Sequence, residues 1–97
     1  MFRWIFGLRN PRQKFEDGSQ IKPRNRDEYD YSELDGHLMT LYAPMMGVGP
    51  IDRELHQYIA RWQAPHDAEP ISENKRREII GKLRRYFDER RITYRIE

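Results

Sequence analysis

Residues 72–91 read SENKRREIIGKLRRYFDERR, and they contain the clearest helix signal in the chain. Apolar residues recur three or four positions apart, which places them on one side of a helix: Ile79, Ile80, Leu83, Tyr86 and Phe87. Ser72 is a favourable N-cap residue, and Pro70 prevents an upstream helix from continuing. The pattern predicts an amphipathic helix over residues 73–90 with one buried face.

Short strands are predicted on both sides of this helix. Residues 92–97, ITYRIE, alternate apolar and polar side chains, as a terminal strand does. Residues 29–43, YDYSELDGHLMTLYA, contain two apolar-rich runs around Asp35-Gly36, a pair that favours a type I′ turn. We therefore expect a hairpin with strands near 29–34 and 37–43, ended by Pro44 and followed by a loop over 45–50.

Residues 51–62, IDRELHQYIARW, permit two interpretations. Leu55, Tyr58, Ile59 and Trp62 have helical spacing, whereas a period of two would divide them between the two faces of a strand. The pattern alone favours a helix.

The N-terminal part of the chain is predicted to lie outside the domain core. Phe2, Trp4, Phe6 and Leu8 alternate as in a strand, although they also fit an amphipathic turn on a membrane surface. Residues 10–28 are polar and contain two further prolines, with Phe15 and Ile21 as weak anchors. We expect residues 1–28 to form a basic N-terminal arm or linker and residues 29–97 to form the domain.

These elements predict a small α+β domain, in which an antiparallel sheet is covered on one face by the C-terminal helix and a terminal strand follows. The length of 97 residues suits one domain with one core. The chain has no cysteine, which excludes disulfides, thiolate metal sites and a cysteine nucleophile. No stretch approaches the length of a membrane-spanning helix, so we expect a cytoplasmic protein.

The net charge of +2 conceals a strong asymmetry along the chain. Residues 1–26 carry a net charge of +5, residues 27–72 carry −7, and residues 73–91 carry +4. This layout favours internal ion pairs or surfaces of opposite sign. Basic side chains on the predicted helix alternate with acidic ones at helical spacing, as in Glu78 with Lys82, Arg84 with Asp88 and Arg85 with Glu89, so a solvated helix face is favoured over a nucleic-acid site.

Residues 61–72, RWQAPHDAEPIS, concentrate potential metal ligands between two prolines. His66, Asp67 and Glu69, joined by His37 or His56, are residue types that bind zinc, iron or manganese. Their spacing matches no established ligand pattern, and Asp67 and Glu69 also suit a rigid connector that leads into a helix. We therefore predict a connector, with no metal, no other cofactor and no catalytic residues. Trp62 is expected in the core, with an interface role as the alternative.

The chain resembles a family of small immunity proteins from bacterial polymorphic-toxin systems, immunity-protein family seventy-four. The resemblance starts at Tyr31 and rests most on Trp62, Pro65, His66, Asp67, Glu69 and Pro70, after weaker matches at Tyr31-Ser32-Glu33, Asp35-Gly36, Leu38, Met45 and Gly47. A helix with Ile79 and Leu83 and a final strand complete it. The resemblance favours a strand over residues 54–61 and implies a role without enzymatic activity.

The function implied by this resemblance is the binding and neutralisation of a cognate toxin by occlusion. The acidic segment 27–72 would suit a basic nuclease toxin, because opposite charge speeds association. The residues predicted to contact this partner are Trp62, His66, Asp67, Glu69, Tyr29, Tyr31, Glu33 and Asp35. Two alternatives remain open: a small nucleic-acid-binding regulator that uses the basic arm and the helix, and a membrane-surface adaptor that uses Phe2, Trp4, Ile5 and Phe6.

Overall fold

A four-stranded antiparallel sheet and one helix form most of the structure, a computed structural model that describes residues 11–47, 49–56 and 61–96. The elements are β1 (Gln13–Lys14), β2 (Gln20–Pro23), β3 (Glu28–Ser32), β4 (Leu38–Tyr42), β5 (Arg53–Leu55), α1 (Glu73–Glu89) and β6 (Tyr94–Ile96). Strands β1 to β4 form a meander in chain order, and β5 pairs with β6 in parallel. The predicted α+β class is confirmed.

The core lies between one face of the sheet and the apolar side of α1. Alternate residues of β3 and β4 are buried and face each other across the ladder, as Tyr31 opposite Met39 and Tyr29 opposite Leu41. The predicted stripe of α1 is buried along its whole length, from Ile79 to Phe87. Two periodicities, two residues in the strands and 3.6 in the helix, thus bring one apolar face against another.

The helix begins and ends close to the predicted positions. The Ser72 hydroxyl accepts a hydrogen bond from the Lys75 backbone N–H at 3.0 Å, which satisfies one free donor of the first turn. Lys82 pairs with Glu78, and Arg85 pairs with Glu89, each at 3.1 Å. Arg84 instead donates to the Tyr94 hydroxyl at 3.2 Å, which connects the helix to β6.

The β3–β4 hairpin is confirmed, but its turn differs from the predicted type I′. That turn requires positive φ at both central residues, whereas here Gly36 has φ 102° and Asp35 is not in the left-handed region. The Glu33 N–H donates to the His37 carbonyl at 2.8 Å, and the Gly36 N–H donates to the Glu33 carbonyl at 3.0 Å. The chain therefore makes a three-residue loop in which a turn is followed by a glycine with positive φ.

Part of the predicted arm belongs to the sheet. The linker interpretation does not hold for residues 13–23, because β1 and β2 extend the meander and both Phe15 and Ile21 lie in the core. Only Ile21 of β2 is buried, and its neighbours are Gln20, Lys22 and Pro23, so the segment carries no visible apolar alternation. Residues 1–10 of the predicted arm lie outside the described residues, and so does the alternating pattern within them.

Residues 53–55 form a strand, so the helical interpretation of 51–62 is wrong there. Leu55 is buried and pairs with Ile96 of β6, forty-one positions later in the chain. This distant pairing overrides the local helical spacing. The strand favoured by the family resemblance is found at residues 54 and 55, while residues 57–60 lie outside the described ranges.

Candidate functional site

The connector before α1 lies beside the hairpin. Trp62 forms an antiparallel bridge with Met39, and the Gln63 N–H donates to the Leu38 carbonyl at 2.8 Å. The Gln63 side chain also donates to the Thr40 hydroxyl at 2.7 Å. These contacts place residues 63–70 against the hairpin loop 33–37, and we name these two segments together the loop junction.

Two successive turns shape the connector. The His66 N–H donates to the Gln63 carbonyl at 2.9 Å, and the Glu69 N–H donates to the His66 carbonyl at 3.0 Å. The Ala64–Pro65 peptide is cis. These turns direct the side chains of His66 and Glu69 back toward His37.

His37 lies between two carboxylates of the loop junction. Its Nδ1 is 2.9 Å from Asp35 Oδ1, and its Nε2 is 2.9 Å from Glu69 Oε1. The hydrogen bonds to Glu69 and Asp35 raise the pKa of His37, because both favour the charged ring. His37 therefore connects the hairpin loop to a residue thirty-two positions away.

The imidazole of His37 is also enclosed between two other rings. Trp62 meets it edge to face at 4.8 Å between ring centroids, and His66 stacks on it at 3.7 Å with an interplanar angle of 19°. The His37 side chain is 17% exposed and that of His66 is 26% exposed, so His66 is the outer ring. Trp62, His37 and His66 thus contact one another in a row that extends from the core to the surface.

A second polar cluster lies next to the loop junction. Glu33 accepts hydrogen bonds from the Tyr31 hydroxyl and the Lys75 ammonium, each at 2.8 Å. Burial, with Glu33 adding to it, raises the pKa of Tyr31. Lys82 donates to Asp17 at 2.6 Å and to Ser19 at 2.8 Å, and these hydrogen bonds hold the pKa of Asp17 well below its usual range. This cluster joins α1 to the β1–β2 turn.

The predicted contact residues divide into a buried and an exposed set. Tyr29, Tyr31 and Trp62 are buried in the core, with exposed fractions of 3%, 0% and 5%, so the structure does not place them on an outer rim. Asp35, Asp67 and Glu69 are exposed, and Glu33 and His66 are half-buried.

Sequence reasoning missed the central position of His37. The only signal was its place directly after the Asp35-Gly36 turn, and nothing local indicated that Glu69 and His66 would meet it.

The loop junction also brings together groups that can bind a cation. Nitrogen or oxygen atoms of His37, His66 and Glu69 lie within 4.8 Å of one another, and the same holds for Glu33, Asp35 and His37. Asp67 is outside both groups, and the third histidine, His56, contacts Glu54 at 3.0 Å instead. The sequence suggested His37, His56, His66 and Asp67 as ligands alongside Glu69. Only His37 and His66 lie close enough to Glu69 to share an ion with it.

Among the helices of the described ranges, none is long and apolar enough to cross a membrane.

Comparison with known proteins finds a family match in the C-terminal part of the chain. No curated protein and no solved structure matches the chain. The model of the family described as Immunity protein 74 matches residues 55–97, which contain the connector, α1 and β6 but not the hairpin. The resemblance seen in the sequence is thereby confirmed over this part of the chain, which is similar to the Immunity protein 74 family.

Proposed function

We propose that this protein is an immunity-type binding protein that neutralises a bacterial toxin by covering it. The main support is the family match, because residues 55–97 include the whole connector of the loop junction. Immunity proteins act by binding, and the connector presents exposed charged side chains on a rigid backbone. A preorganised loop loses little conformational freedom when it binds.

The proposed contact surface is acidic. Asp35, Asp67 and Glu69 are exposed at the loop junction, and residues 27–72 carry a net charge of −7. Such a surface complements a basic partner and accelerates encounter with it, most strongly at low salt. A basic toxin, such as a nuclease, is therefore the partner we propose.

The buried aromatic residues have a supporting role in this proposal. Trp62 lies under His37, and Tyr31 donates a hydrogen bond to Glu33. Trp62 therefore positions His37, and Tyr31 positions Glu33, from the core side of the surface. Replacement of either residue would alter the shape of the surface without removing a direct contact.

The test uses charge reversal at the surface. Asp67→Lys leaves the hydrogen bond between His37 and Glu69 in place, so it changes charge with little change in structure. Asp88→Lys is the matched control, because Asp88 is exposed on α1 outside the loop junction. Once a cognate toxin domain has been identified, for example from the neighbouring gene, co-expression with it should show full protection for Asp88→Lys and loss of protection for Asp67→Lys and Glu69→Lys.

Binding of the purified pair gives the quantitative result. We expect at least tenfold weaker binding for Asp67→Lys, mainly through slower association, with a difference that shrinks as salt increases. Unfolding curves of the variants verify that each remains folded. Full protection and unchanged binding by both loop variants would remove the loop junction from the proposal.

A nucleic-acid-binding regulator receives less support from the contacts of α1. Lys75, Lys82 and Arg85 each lie within 3.1 Å of at least one carboxylate, so their charge is largely compensated. Titration against random duplex and single-stranded oligonucleotides at two salt concentrations separates the two functions. Binding that weakens steeply with salt would favour the regulator.

The membrane-surface alternative rests on residues 1–9, which lie outside the described ranges. Deletion of these residues, followed by measurement of vesicle binding, tests it.

A further inference from the structure

Three side chains of the loop junction present ligand atoms to one small volume. His37 comes from the end of the hairpin loop, and His66 and Glu69 come from successive turns of the connector. His37 Nε2 is 2.9 Å from Glu69 Oε1, and His66 Nε2 is 4.0 Å from Glu69 Oε2. We propose that His37, His66 and Glu69 bind a divalent transition-metal ion, with Zn²⁺ as the best fit.

The distances suit a shared metal ion. Zinc lies about 2.0–2.2 Å from imidazole nitrogen and carboxylate oxygen, so two ligand atoms in a tetrahedral site are about 3.3–3.6 Å apart. The separation between His37 and Glu69 is slightly shorter than this range, and that between His66 and Glu69 is slightly longer. The two distances end on different oxygen atoms of Glu69, so a shared ion requires small shifts together with a rotation of the His66 ring, and water can complete the four ligands.

His66 is available as a ligand. Within the part of the chain that the structure describes, its ring nitrogens make no hydrogen bond, and the nearest charged atom is Glu69 Oε2 at 4.0 Å. His56 differs, because its Nε2 contacts Glu54 at 3.0 Å. A half-buried imidazole without a hydrogen bond inside a group of ligand atoms is the observation that separates this cluster from an ordinary ion pair.

Asp35 supplies the outer support that metal-binding histidines usually have. Its carboxylate accepts from His37 Nδ1 at 2.9 Å, which directs the lone pair of Nε2 toward Glu69 once a metal replaces the proton there. Trp62 packs against the same ring and restricts its rotation. Two neighbours of different chemistry thus orient His37 before any ion binds.

One rearrangement is required. The two imidazole planes are only 19° apart and 3.7 Å separates their centroids, so their lone pairs run side by side. A metal must lie near both ring planes, and His66 must therefore rotate. As the outer and more exposed ring, His66 can do so without disturbing Trp62 or the core. The bound ion would then connect the hairpin loop to the connector.

The experiment measures metal binding by the full chain without any toxin, so its result is independent of the proposed function. Zn²⁺ is titrated by calorimetry, and Co²⁺ is titrated by its visible absorption, which reports coordination number and ligand type. We expect one ion per chain, a tetrahedral Co²⁺ spectrum, and a higher Tm in the presence of Zn²⁺.

Matched variants identify the ligands. His66→Gln and Glu69→Gln should each weaken Zn²⁺ binding at least tenfold and abolish the rise in Tm, whereas His56→Gln and Asp67→Asn should bind as the original chain does. Equal losses in Glu69→Gln and Asp67→Asn would indicate nonspecific attraction by acidic groups and would overturn the proposal. An original chain that binds Zn²⁺ only at millimolar concentrations, or binds it equally well without His66, would overturn it too.

Discussion

The helix–sheet core and the loop junction differ in how well a local sequence pattern can predict them. In the core, Ile79, Leu83 and Phe87 are related by helical spacing, and their buried positions follow from that spacing. In the loop junction, His37 meets Glu69 and His66 only because the connector runs beside β4. The comparison shows that periodic apolar residues specify the framework, whereas polar contacts between loops depend on how that framework is assembled.

The largest expected effect is the loss of stability when a buried leucine, rather than an exposed one, is replaced by alanine. Leu83 is fully buried, whereas Leu34 at the tip of the hairpin is 83% exposed. Leu83→Ala should lower the free energy of unfolding by about 2–5 kcal/mol, because it removes buried methyl groups and leaves a cavity. Leu34→Ala should change it by less than about 0.5 kcal/mol. Urea unfolding monitored by tryptophan fluorescence measures both.

Equal losses from these two variants would contradict the division between core and loop junction. A large loss of unfolding free energy in Leu34→Ala alone would mean that Leu34 makes stabilising contacts despite its high exposure. The pair has the same chemistry, so the difference between the variants reports burial alone.

The same division explains what the sequence could predict. The α1 stripe and the Asp35-Gly36 hairpin were predicted because each is encoded within about 20 neighbouring residues. Strand β2 was missed because Ile21 alone is buried in it, and one apolar residue creates no periodicity. The local pattern favoured a helix at β5, and only the family resemblance favoured a strand, because the partner of β5, β6, is more than thirty residues away.

The sequence predicted some residues of the candidate site but not the contacts between them. Asp35, Asp67 and Glu69 were identified as exposed acidic residues, since charge alone predicts exposure. Trp62 was expected in the core and is buried there, whereas Tyr29 and Tyr31, which were predicted as contact residues, are buried as well. The edge-to-face contact of His37 with Trp62 joins two segments without any shared local pattern, and only the three-dimensional structure reveals it.

The second expected effect is that the stability contributed by Asp17, at the edge of the core, depends on pH. Asp17 accepts from Lys82 and Ser19, and these bonds lower its pKa from the ordinary value of 3.8. A lowered pKa in the folded state stabilises the protein above pH 3.8, and this stabilisation is lost as the pH falls through the folded value. Asp17→Asn should therefore be less stable than the original chain at pH 7, with a difference that narrows below about pH 4.

Urea midpoints at pH 7, 5 and 3 measure this difference. The Asp17 side chain is 54% exposed, so solvent screens the pair and the effect should be smaller than that of Leu83→Ala. Glu78 also contacts Lys82, at 3.1 Å, and it retains part of the attraction in the variant. A stability difference that stayed constant from pH 7 to pH 3 would show that Asp17 acts without its charge.

The smallest expected effect compares a glycine from each region. Gly36 has φ 102°, and a side chain there is strained although no atom lies within 4 Å of the added Cβ. Gly81 lies within α1, also with open space around it, and its helical backbone suits alanine. Gly36→Ala should lower the free energy of unfolding by about 1 kcal/mol, whereas Gly81→Ala should raise it by about 0.5–1 kcal/mol. Thermal unfolding of both variants measures the sign directly. Because neither substitution meets a neighbouring atom, opposite signs can arise only from the backbone, and a loss in Gly81→Ala would mean that the helix is held less regularly than its buried stripe indicates.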